Sequence, residues 1–424
     1  MIEVRLKPDT TTHDGPYAMT TKMRPFGKII ALEEARAILD RAIQPIDRTE
    51  VLPLQQANGR VLAQDIFSTA DVPPFSRAAM DGYAVRAEDT SGASRAAPRR
   101  LRRIETIYTG QVPQKRVGSG ECAEIATGAP MPEGADAVVM VEETDVDDGG
   151  LVSVFAPASP RQNIGRQGSD IQQGQHVLQP GTLLNASRLG SIAALGVTDI
   201  AVYAKPRVAV LSTGNEIVEP GQPLAPGQIY DINRVTVSAV VSDNGGVAVP
   251  YRTAADTIED LQRAVDECLE QDVMVFSGGS SVGERDLILD VVAARGEMLF
   301  HGIAVKPGKP TAFGRIGGKL FFGMPGYPTS CLSNAYILLA PALRRLARLP
   351  QQIVRSFTLP LGARVLSAPG RRQFYSVRVA KGVAVPAFKA SGDITSMSQA
   401  DGYIEIDAEV EVVEAGTLVD VKLF

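Results

Sequence analysis

Histidine and cysteine are scarce in this sequence, which contains three residues of each among 424. So few histidines argue against a zinc site, because protein-bound zinc is held by histidine and cysteine side chains that lie close together. Cys122, Cys268 and Cys331 are far apart in the chain and have no metal-binding neighbours in the sequence. This pattern is typical of a reduced cytoplasmic protein without a disulfide framework.

Long apolar segments are also absent. No run approaches the roughly 18 residues of a membrane-spanning helix, and the start, MIEVRLKPDTTTHDG, lacks the hydrophobic region of a signal peptide. The net charge of −5 argues against nucleic acid as a bulk electrostatic partner. We therefore expect a cytoplasmic protein that binds neither membranes nor nucleic acid, and in which any anion site is built from local basic residues.

Several domains are expected, because 424 residues exceed what one hydrophobic core usually serves. The hydrophobic fraction of 44% is that of an ordinary folded protein. We predict an α/β multidomain fold with a flexible leader at residues 1–26, a discontinuous helix- and loop-rich domain I at 27–60 and 155–204, an inserted all-β domain II at 61–154, an α/β domain III at 205–348, and a C-terminal β-barrel domain IV at 349–424.

The hydrophobic pattern is clearest from Lys205 onward. The stretches RVAVLSTG, GVAVPYRTA and DVMVFSGG are continuous apolar runs, and helical patterns such as TIEDLQRAVDECLEQ separate them. Such an alternation predicts a parallel-rich sheet that is covered by helices on both faces. The last 75 or so residues instead alternate with a period of two, as in GYIEIDAEVEVV, which predicts a small β barrel or sandwich.

Acidic residues follow three strands of this predicted sheet. Glu216 lies in STGNEI, Asp256 in AADTIED, and Asp286 in SGGSSVGERD. The carboxyl ends of parallel strands meet at one edge, and glycines such as Gly278 and Gly279 allow backbone N–H groups to form an anion nest there. Two carboxylates about 4 Å apart repel each other by about 4 kcal/mol at an effective dielectric constant of 20. Converging carboxylates therefore favour a bound cation. Mg²⁺ is the expected ion, because it prefers oxygen ligands beside phosphates. Plainer interpretations are a helix cap for Asp256, a solvated loop charge for Glu216, and a helix N-terminal charge for Asp286.

Two further loops contain features of an anion site. In AVKPGKPTAFG, prolines restrict the backbone around Lys306 and Lys309, which would hold two ammonium groups near a bound anion. In GMPGYPTSC, Thr329 or Ser330 is expected to cap a helix whose backbone N–H groups could bind a phosphate. A plain surface turn is the alternative for each loop. Neither a Walker A sequence nor a dinucleotide-binding GxGxxG is present.

Seven motifs in a fixed order make the sequence similar to a known family. The motifs are PPFSRAAMDGYAV, ATGAPMPEGADAVVMVEE, QGSDI, VLSTGNEI, SGGSSVGERD, VKPGKP and GMPGYPTS. The chain resembles, from about residue 28 to its end, the molybdopterin molybdenumtransferases of the MoeA type, which are related to the gephyrin E domain. From spacing alone, the first two motifs would be structural turns.

The resemblance implies a four-domain homodimer whose domain III is of the molybdopterin-binding type. It implies the last step of molybdenum cofactor synthesis, in which the enzyme releases AMP from adenylylated molybdopterin in a Mg²⁺-dependent step and inserts molybdate as substrate. The adenylyltransferase and recipient molybdoenzymes are expected as further partners. By motif match, the implied catalytic and metal-binding residues are Glu216, Asp256 and Asp286, and the implied substrate-binding residues are Thr127, Asp170, Gly278, Gly279, Ser281, Lys306, Lys309, Pro325, Pro328, Ser330, Arg372 and Ser391.

Arg372 in GRRQF and Ser391 in ASGDITSM resemble fourth-domain residues that reach the cleft of the partner subunit. The chain departs from the family pattern at Ser76, where many members have Asp, and at Tyr327, where Asn is usual. Ser280 in place of Val and Ser169 in place of Glu are further departures.

Two other functions stay open at this point. One is a non-catalytic molybdopterin-binding or scaffold protein, since fold does not fix function. The other is a nucleotide pyrophosphatase built on a similar sheet domain, which would not need molybdate. The sequence leaves open whether molybdate or tungstate is preferred.

Overall fold

The computed structural model describes residues 28–255, 257–278 and 287–424. The chain divides into two compact units: one combines the residues up to Asp47 with Ala204–Phe424, and the other is Arg48–Tyr203. The predicted leader at residues 1–26 lies outside the described residues. None of the helices in the described ranges is long and apolar enough to cross a lipid bilayer.

In the second half of the chain, helices alternate with strands. A π-helical segment, Ala335–Leu339, joins two of them into one continuous helical stretch. Within the described ranges the α-helices are α1 (Leu32–Ala42), α2 (Ala186–Ala194), α3 (Ile232–Asp243), α4 (Ile258–Cys268), α5 (Leu287–Arg295), α6 (Pro328–Asn334), α7 (Ala340–Leu346) and α8 (Thr395–Ser398).

The unit Arg48–Tyr203 consists mainly of strands. Its largest sheet has six strands in the order β7-β4-β6-β5-β9-β8, and β1-β12, β2-β11 and β3-β10 form separate two-stranded pairs. The strands are β1 (Thr49–Pro53), β2 (Ile66–Phe67), β3 (Arg77–Ala78), β4 (Gly82–Val85), β5 (Arg99–Ile107), β6 (Glu121–Ile125), β7 (Ala137–Met140), β8 (Thr144–Val146), β9 (Leu151–Val154), β10 (Ile164–Gly165), β11 (His176–Leu178) and β12 (Asp199–Tyr203).

The strand content expected for residues 61–154 is present, because all six strands of the large sheet lie there. Side chains alternate between two cores: Tyr83 and Val85 belong to one, and Ala84 belongs to the other. The helix α2 begins after Asn185, whose side chain accepts a hydrogen bond from the Arg188 backbone N–H at 3.0 Å.

The larger unit contains a six-stranded mixed sheet in the order β16-β13-β17-β21-β20-β18. The first four strands run parallel, and β20 and β18 are antiparallel to their neighbours. Three of these parallel strands, β13, β16 and β17, are those predicted from the continuous apolar runs, and β21 is an addition. The strands of this part are β13 (Arg207–Ser212), β14 (Ile217–Val218), β15 (Ile229–Tyr230), β16 (Val247–Pro250), β17 (Val273–Ser277), β18 (Gly296–His301), β19 (Val305–Lys306), β20 (Ala312–Ile316) and β21 (Lys319–Met324).

Both faces of this sheet are buried, as the sequence predicts. Val208 and Val210 of β13 join a core with residues of α3, α6 and α7, whereas Ala209 and Leu211 join a second core with residues of α4 and α5. Because successive side chains of a strand point to opposite faces, an apolar side chain at every position implies two covered faces. The sheet is therefore fixed between helices, and its strand ends are held in place.

The helix α1 packs on this α/β core. Its buried residues Leu32, Ala35 and Leu39 belong to the same hydrophobic cluster as Val208 and Val237. The spacing of three and four residues places these side chains on one helical face. The sequence analysis assigns this helix to the same domain as residues 155–204, whereas its apolar face packs in the α/β core. The domain boundaries themselves stay a prediction.

The C-terminal strands form a half-barrel. The sheet order is β19-β24-β26-β28-β22, with β25 paired to β24, and Leu361, just after β22, makes a bridge to Ala384 in β25. The period-two pattern of the last 75 residues is thus confirmed as β structure. The strands are β22 (Ser356–Pro360), β23 (Val365–Leu366), β24 (Arg372–Ala380), β25 (Val383–Pro386), β26 (Gly402–Ile406), β27 (Val412–Val413) and β28 (Leu418–Leu423).

The cysteine side chains should be chemically inert in the folded protein. Cys122, Cys268 and Cys331 are all buried as free thiols, and burial raises the pKa of each thiol to about 12. We expect a thiol reagent such as DTNB to titrate almost no thiol at pH 8 in the native protein and all three after denaturation, because only the thiolate reacts.

The same shifts predict a pH dependence of stability. The pKa of each thiol is about 12 in the folded protein and about 8.5 in the unfolded chain. Burial of the neutral thiols therefore contributes fully to the free energy of unfolding below a pH of about 8.5, and this contribution is lost as pH rises toward 12. Rapid titration of one thiol in the native state would contradict this description.

Candidate functional site

An open cleft lies at the carboxyl ends of β13, β17 and β21. Its volume is about 1080 Å³, and it is lined by the loops that follow these strands, by the loop after β19, and by residues from the C-terminal part of the chain. This is the sheet edge where ligands bind in open α/β folds. All of the lining residues belong to the larger unit.

The lysine loop is held rigidly at one side of the cleft. Lys306 and Lys309 both line it, with Gly308 between them at a φ of +100°. The Gly308 carbonyl accepts hydrogen bonds from the Thr311 hydroxyl at 2.9 Å and from the Asn334 side-chain amide at 2.7 Å. Asn334 is fully buried, so the loop is tied to the interior through a group that cannot move away.

Polar side chains at two strand ends form the floor of the cleft. The Ser212 hydroxyl donates to the Asp231 carboxylate at 2.7 Å and lies 3.0 Å from the Ser277 hydroxyl. Asp231 also accepts the Arg234 backbone N–H at 3.0 Å, which makes it the N-terminal cap of α3. Arg234 in turn donates to Glu219 at 2.8 Å, which lowers the pKa of the Glu219 carboxyl.

Two glycine loops approach each other closely across the cleft. A Cβ built on Gly326 would lie 3.5 Å from the Gly278 Cα. Gly278 has a φ of +95°, and a Cβ there would come within 2.6 Å of the Thr213 carbonyl oxygen. The Asn233 side-chain amide donates to the Gly326 carbonyl at 2.8 Å and ties the second loop to the start of α3. Side chains at the two glycines would close this part of the cleft.

The C-terminal part of the chain supplies Arg371, Ser391 and Gly392 to the cleft. Two hydrogen bonds join the Ser391 segment to the start of α6: the Thr329 N–H donates to the Ser391 carbonyl at 3.1 Å, and the Thr329 hydroxyl donates to the Asp393 carbonyl at 2.8 Å. The predicted capping role of Thr329 or Ser330 is therefore wrong. The helix begins at Pro328 after Tyr327, without a side-chain cap.

Most of the predicted site residues that the structure describes meet in this cleft. Glu216 is exposed in the cleft, and its carboxylate lies next to Gly214. A Cβ added to Gly214 would lie 2.7 Å from a carboxylate oxygen of Glu216. Asp256, Gly279, Ser281 and Asp286 lie outside the described residues. The predicted residues that line the cleft are Glu216, Gly278, Lys306, Lys309, Pro325, Pro328, Ser330 and Ser391.

Thr127 and Asp170 lie in the other unit, and both are exposed. The Thr127 backbone N–H donates to the Asp81 carboxylate at 2.6 Å, which lowers the pKa of Asp81. The Asp170 backbone N–H donates to the Val72 carbonyl at 3.0 Å. Their predicted substrate contacts stay predictions.

Arg372 is not among the residues of the cleft. Its guanidinium pairs with Glu33 and lies 3.4 Å from Asp407, while the neighbouring Arg371 lines the cleft. Ser391 lines the cleft of its own chain, and the expectation that it reaches the cleft of a partner subunit stays a prediction.

The polar residues of the cleft that sequence reasoning missed include Arg371, Asp231 and Asn233. Asp231 is 2% exposed and Asn233 is 8% exposed. For Asp231 and Asn233 a signal exists in the stretch YDINR, where an Asp precedes an apolar helix that follows the first strand of the sheet.

The predicted metal site consists of three acidic residues, of which Glu216 lies within the described ranges. Within the described ranges, no group of three His, Cys, Asp or Glu side chains is placed to hold a metal ion. Of the three predicted ligands the structure describes only Glu216, whose exposed carboxylate lines the cleft. Mg²⁺ is commonly held by one or two carboxylates together with substrate phosphates, so this single carboxylate fits such an ion.

Comparison with known proteins covers nearly the whole chain. Residues 30–196 match the family described as MoeA N-terminal region (domain I and II), residues 209–345 match the probable molybdopterin binding domain, and residues 358–424 match the MoeA C-terminal region (domain IV). Among curated proteins, the chain is 36% identical to molybdopterin molybdenumtransferase 2 of Mycobacterium tuberculosis, over 90% of this chain and 95% of that protein. It is 33% identical to the molybdopterin molybdenumtransferase of Haemophilus influenzae, over 93% and 99%.

A solved structure supports the same conclusion. The molybdopterin biosynthesis MoeA protein of Pyrococcus horikoshii superposes with a TM-score of 0.81 at 41% identity, over 93% of this chain and 99% of that chain. The matches span the α/β sheet, the β-rich unit and the C-terminal strands together. With this coverage and identity, the chain belongs to the MoeA family of molybdopterin molybdenumtransferases.

Proposed function

We propose that this protein inserts molybdenum into adenylylated molybdopterin and releases AMP, the last step of molybdenum cofactor biosynthesis. One observation carries the proposal: Glu216, the lysine loop and Ser391 line a single cleft at the carboxyl ends of the parallel strands. Curated relatives that match over nearly their whole length are named molybdopterin molybdenumtransferases. The same proposal includes a cytoplasmic homodimer, as the family resemblance implies.

Lys306, Lys309 and Arg371 bind the oxyanions of the reaction in this proposal. The substrate has a phosphoanhydride between molybdopterin and AMP, and molybdate is an oxyanion as well. Ammonium and guanidinium groups form strong charge-assisted hydrogen bonds with such oxygens. Because the lysine loop is tied to the buried Asn334, its charges are oriented before the substrate arrives. Preorganised charges stabilise developing negative charge without reorganisation during the reaction.

Glu216, with Asp256 and Asp286, would hold Mg²⁺ beside these cations. When bound, the ion would supply Lewis-acid polarisation of the scissile phosphate. The Glu216 carboxylate lies next to Gly214. Because Gly214 has no side chain, it leaves room for this carboxylate. The Gly278 backbone N–H donates to the Met324 carbonyl at 3.2 Å, so Gly278 would contribute room for a phosphate through its missing side chain. Gly279 would present a backbone N–H group to the phosphate, and Ser281 and Ser330 would add hydroxyl donors.

The remaining predicted residues have supporting roles in the proposal. Pro325 and Pro328 restrict the loop before α6, and Ser391 presents its polar groups to the substrate. Thr127 and Asp170 are further substrate-binding residues, and Arg371 takes the role that the sequence assigned to Arg372.

The direct test is an AMP-release assay. The purified protein is incubated with adenylylated molybdopterin, Mg²⁺ and molybdate, and AMP is quantified over time. Release over many turnovers that depends on molybdate supports the proposal. A scaffold would release no AMP, and a nucleotide pyrophosphatase would release it equally well without molybdate.

Replacing Glu216 with glutamine should lower the rate of molybdate-dependent AMP release. We expect a loss of about 100-fold, the upper end of what losing a group that supports a metal site costs. The Mg²⁺ concentration for half-maximal rate should rise, because the amide is a neutral and weaker ligand. Glu267→Gln on the exposed face of α4 removes the same charge and serves as control. Unchanged Mg²⁺ dependence of the Glu216 variant would refute its role as a ligand.

A further inference from the structure

A large aromatic side chain is exposed at the edge of the cleft. Tyr327 lines the cleft, and 68% of its surface is exposed. It stands in PGYP, at the position where the family pattern usually has asparagine. An aromatic ring offers a wide apolar face with a polar edge, and in a ligand cleft such a face suits another planar ring.

The backbone on both sides of Tyr327 is fixed. The preceding Gly326 carbonyl accepts the Asn233 side-chain amide at 2.8 Å, and the following Thr329 N–H donates to the Ser391 carbonyl at 3.1 Å. A Cβ added to Gly392 would lie 3.8 Å from Cδ1 of the Tyr327 ring, so Gly392 brings backbone close to this ring without a side chain. The ring is therefore presented from a rigid base.

Other exposed apolar side chains line the same cleft. Leu224 is 43% exposed, Ile229 is 55% exposed and Tyr230 is 42% exposed. Lys306 supplies positive charge to this cleft as well. The ligand that complements such a surface combines a planar, largely apolar ring with an anionic group. Nucleotides and phosphorylated pterins both have this combination.

We infer that Tyr327 is a substrate-binding residue whose ring stacks on the planar nitrogen heterocycle of the phosphorylated substrate. The inference rests on the proposed function, which supplies a substrate with two such rings, the pterin and the adenine. Stacking on an aromatic side chain tolerates differences between heterocycles because each has a π face. The lysine loop binds the phosphate of the same ligand, so ring and anion are held at separate points.

Equilibrium binding separates the contribution of the ring from that of the phosphate. Isothermal titration would measure AMP, ribose 5-phosphate and 6-hydroxymethylpterin phosphate against the wild type, Tyr327→Ala and Tyr327→Phe. We expect Tyr327→Ala to weaken at least one ring-bearing ligand about tenfold. Ribose 5-phosphate, which has the phosphate without a base, should bind unchanged. Tyr327→Phe keeps the stacking face and should bind as the wild type does. Loss confined to AMP identifies adenine as the ring, and loss confined to the pterin phosphate identifies the pterin.

Phe357→Ala provides a matched control, because it removes an exposed ring from β22, outside the cleft. Equal binding of all three ligands to the wild type and Tyr327→Ala would overturn the inference, as would a wild type that binds neither ring-bearing ligand. A Tyr327→Phe variant as weak as Tyr327→Ala would also overturn it, since the hydroxyl would then be the contact. These measurements need no turnover. A wild type that binds AMP or the pterin phosphate through Tyr327 but releases no AMP in the assay would therefore overturn the proposed function alone.

Discussion

Replacing Lys306 and Lys309 together with methionine should reduce the rate of molybdate-dependent AMP release by about 10³-fold or more. Removing one preorganised group that stabilises developing charge costs about 10²–10³-fold in rate, and this variant removes two such groups from one loop. Methionine keeps a long apolar side chain in each place, so the packing of the loop changes little. The measurement is the initial rate of AMP release at saturating molybdate, with the melting temperature as a check on folding.

Lys319→Met is the control for this pair. Lys319 begins β21, at the opposite end of that strand from the cleft, so this substitution removes one lysine charge outside the proposed site. We expect its rate of AMP release to equal that of the wild type. If the double variant keeps the wild-type rate while remaining folded, the lysine loop does not bind the reacting anions and the proposed roles of both residues are wrong.

The parallel strands β13, β16 and β17 could be predicted from the sequence because burial of both faces leaves a continuous apolar run. The fourth parallel strand, β21, and the antiparallel edge formed by β18 and β20 were missed. The turn between β20 and β21 is the pair Gly317-Gly318, with φ of +55° and +79°, between Ile316 and Lys319, which are opposite each other in the ladder. Two glycines with positive φ between apolar runs are the mark of a two-residue hairpin. The local sequence therefore contains a hairpin signal at this edge of the sheet.

The location of the site could also be predicted, since strand ends of a parallel sheet converge by necessity. The choice between Arg371 and Arg372 could not be made from the sequence. Successive side chains near a strand point to opposite sides, so the strand register decides which arginine faces the cleft. That register comes from the pairing of Arg372 with Val305 of β19, more than 60 residues earlier in the chain. Motif matching pointed to Arg372, whereas Arg371 is the arginine that lines the cleft.

The start of α6 was mispredicted for a similar reason. A Thr or Ser after a proline-rich turn is a common helix cap, because its hydroxyl can accept a backbone N–H. In this protein the Thr329 hydroxyl instead donates to the Asp393 carbonyl at 2.8 Å. The partner is 64 residues away in sequence. Local propensity cannot report such a tertiary contact, and the contact ties the C-terminal part of the chain to the cleft.

Replacing Gly308 with alanine should be among the most destabilising single substitutions in the larger unit. Gly308 has a φ of +100°, and an added Cβ would lie 2.3 Å from the Asn334 amide nitrogen. Asn334 is fully buried and also donates to the Thr311 hydroxyl, so it has no room to retreat. A residue held in an unfavourable backbone region costs about 1–3 kcal/mol, and a broken buried hydrogen bond costs about 1–3 kcal/mol more. We expect the free energy of unfolding to fall by about 3–5 kcal/mol.

Gly318→Ala isolates the backbone part of this effect. Gly318 has a φ of +79°, and nothing lies within 4 Å of an added Cβ, so the substitution introduces strain without a clash. Urea denaturation of both variants should show a much larger loss of stability for Gly308→Ala. Because truncating Asn334 makes room for the new methyl group, Gly308→Ala combined with Asn334→Ala should be more stable than the sum of the single effects predicts. Additive effects, or equal losses at Gly308 and Gly318, would show that the lysine loop is not held against Asn334 in the way its role in orienting Lys306 and Lys309 requires.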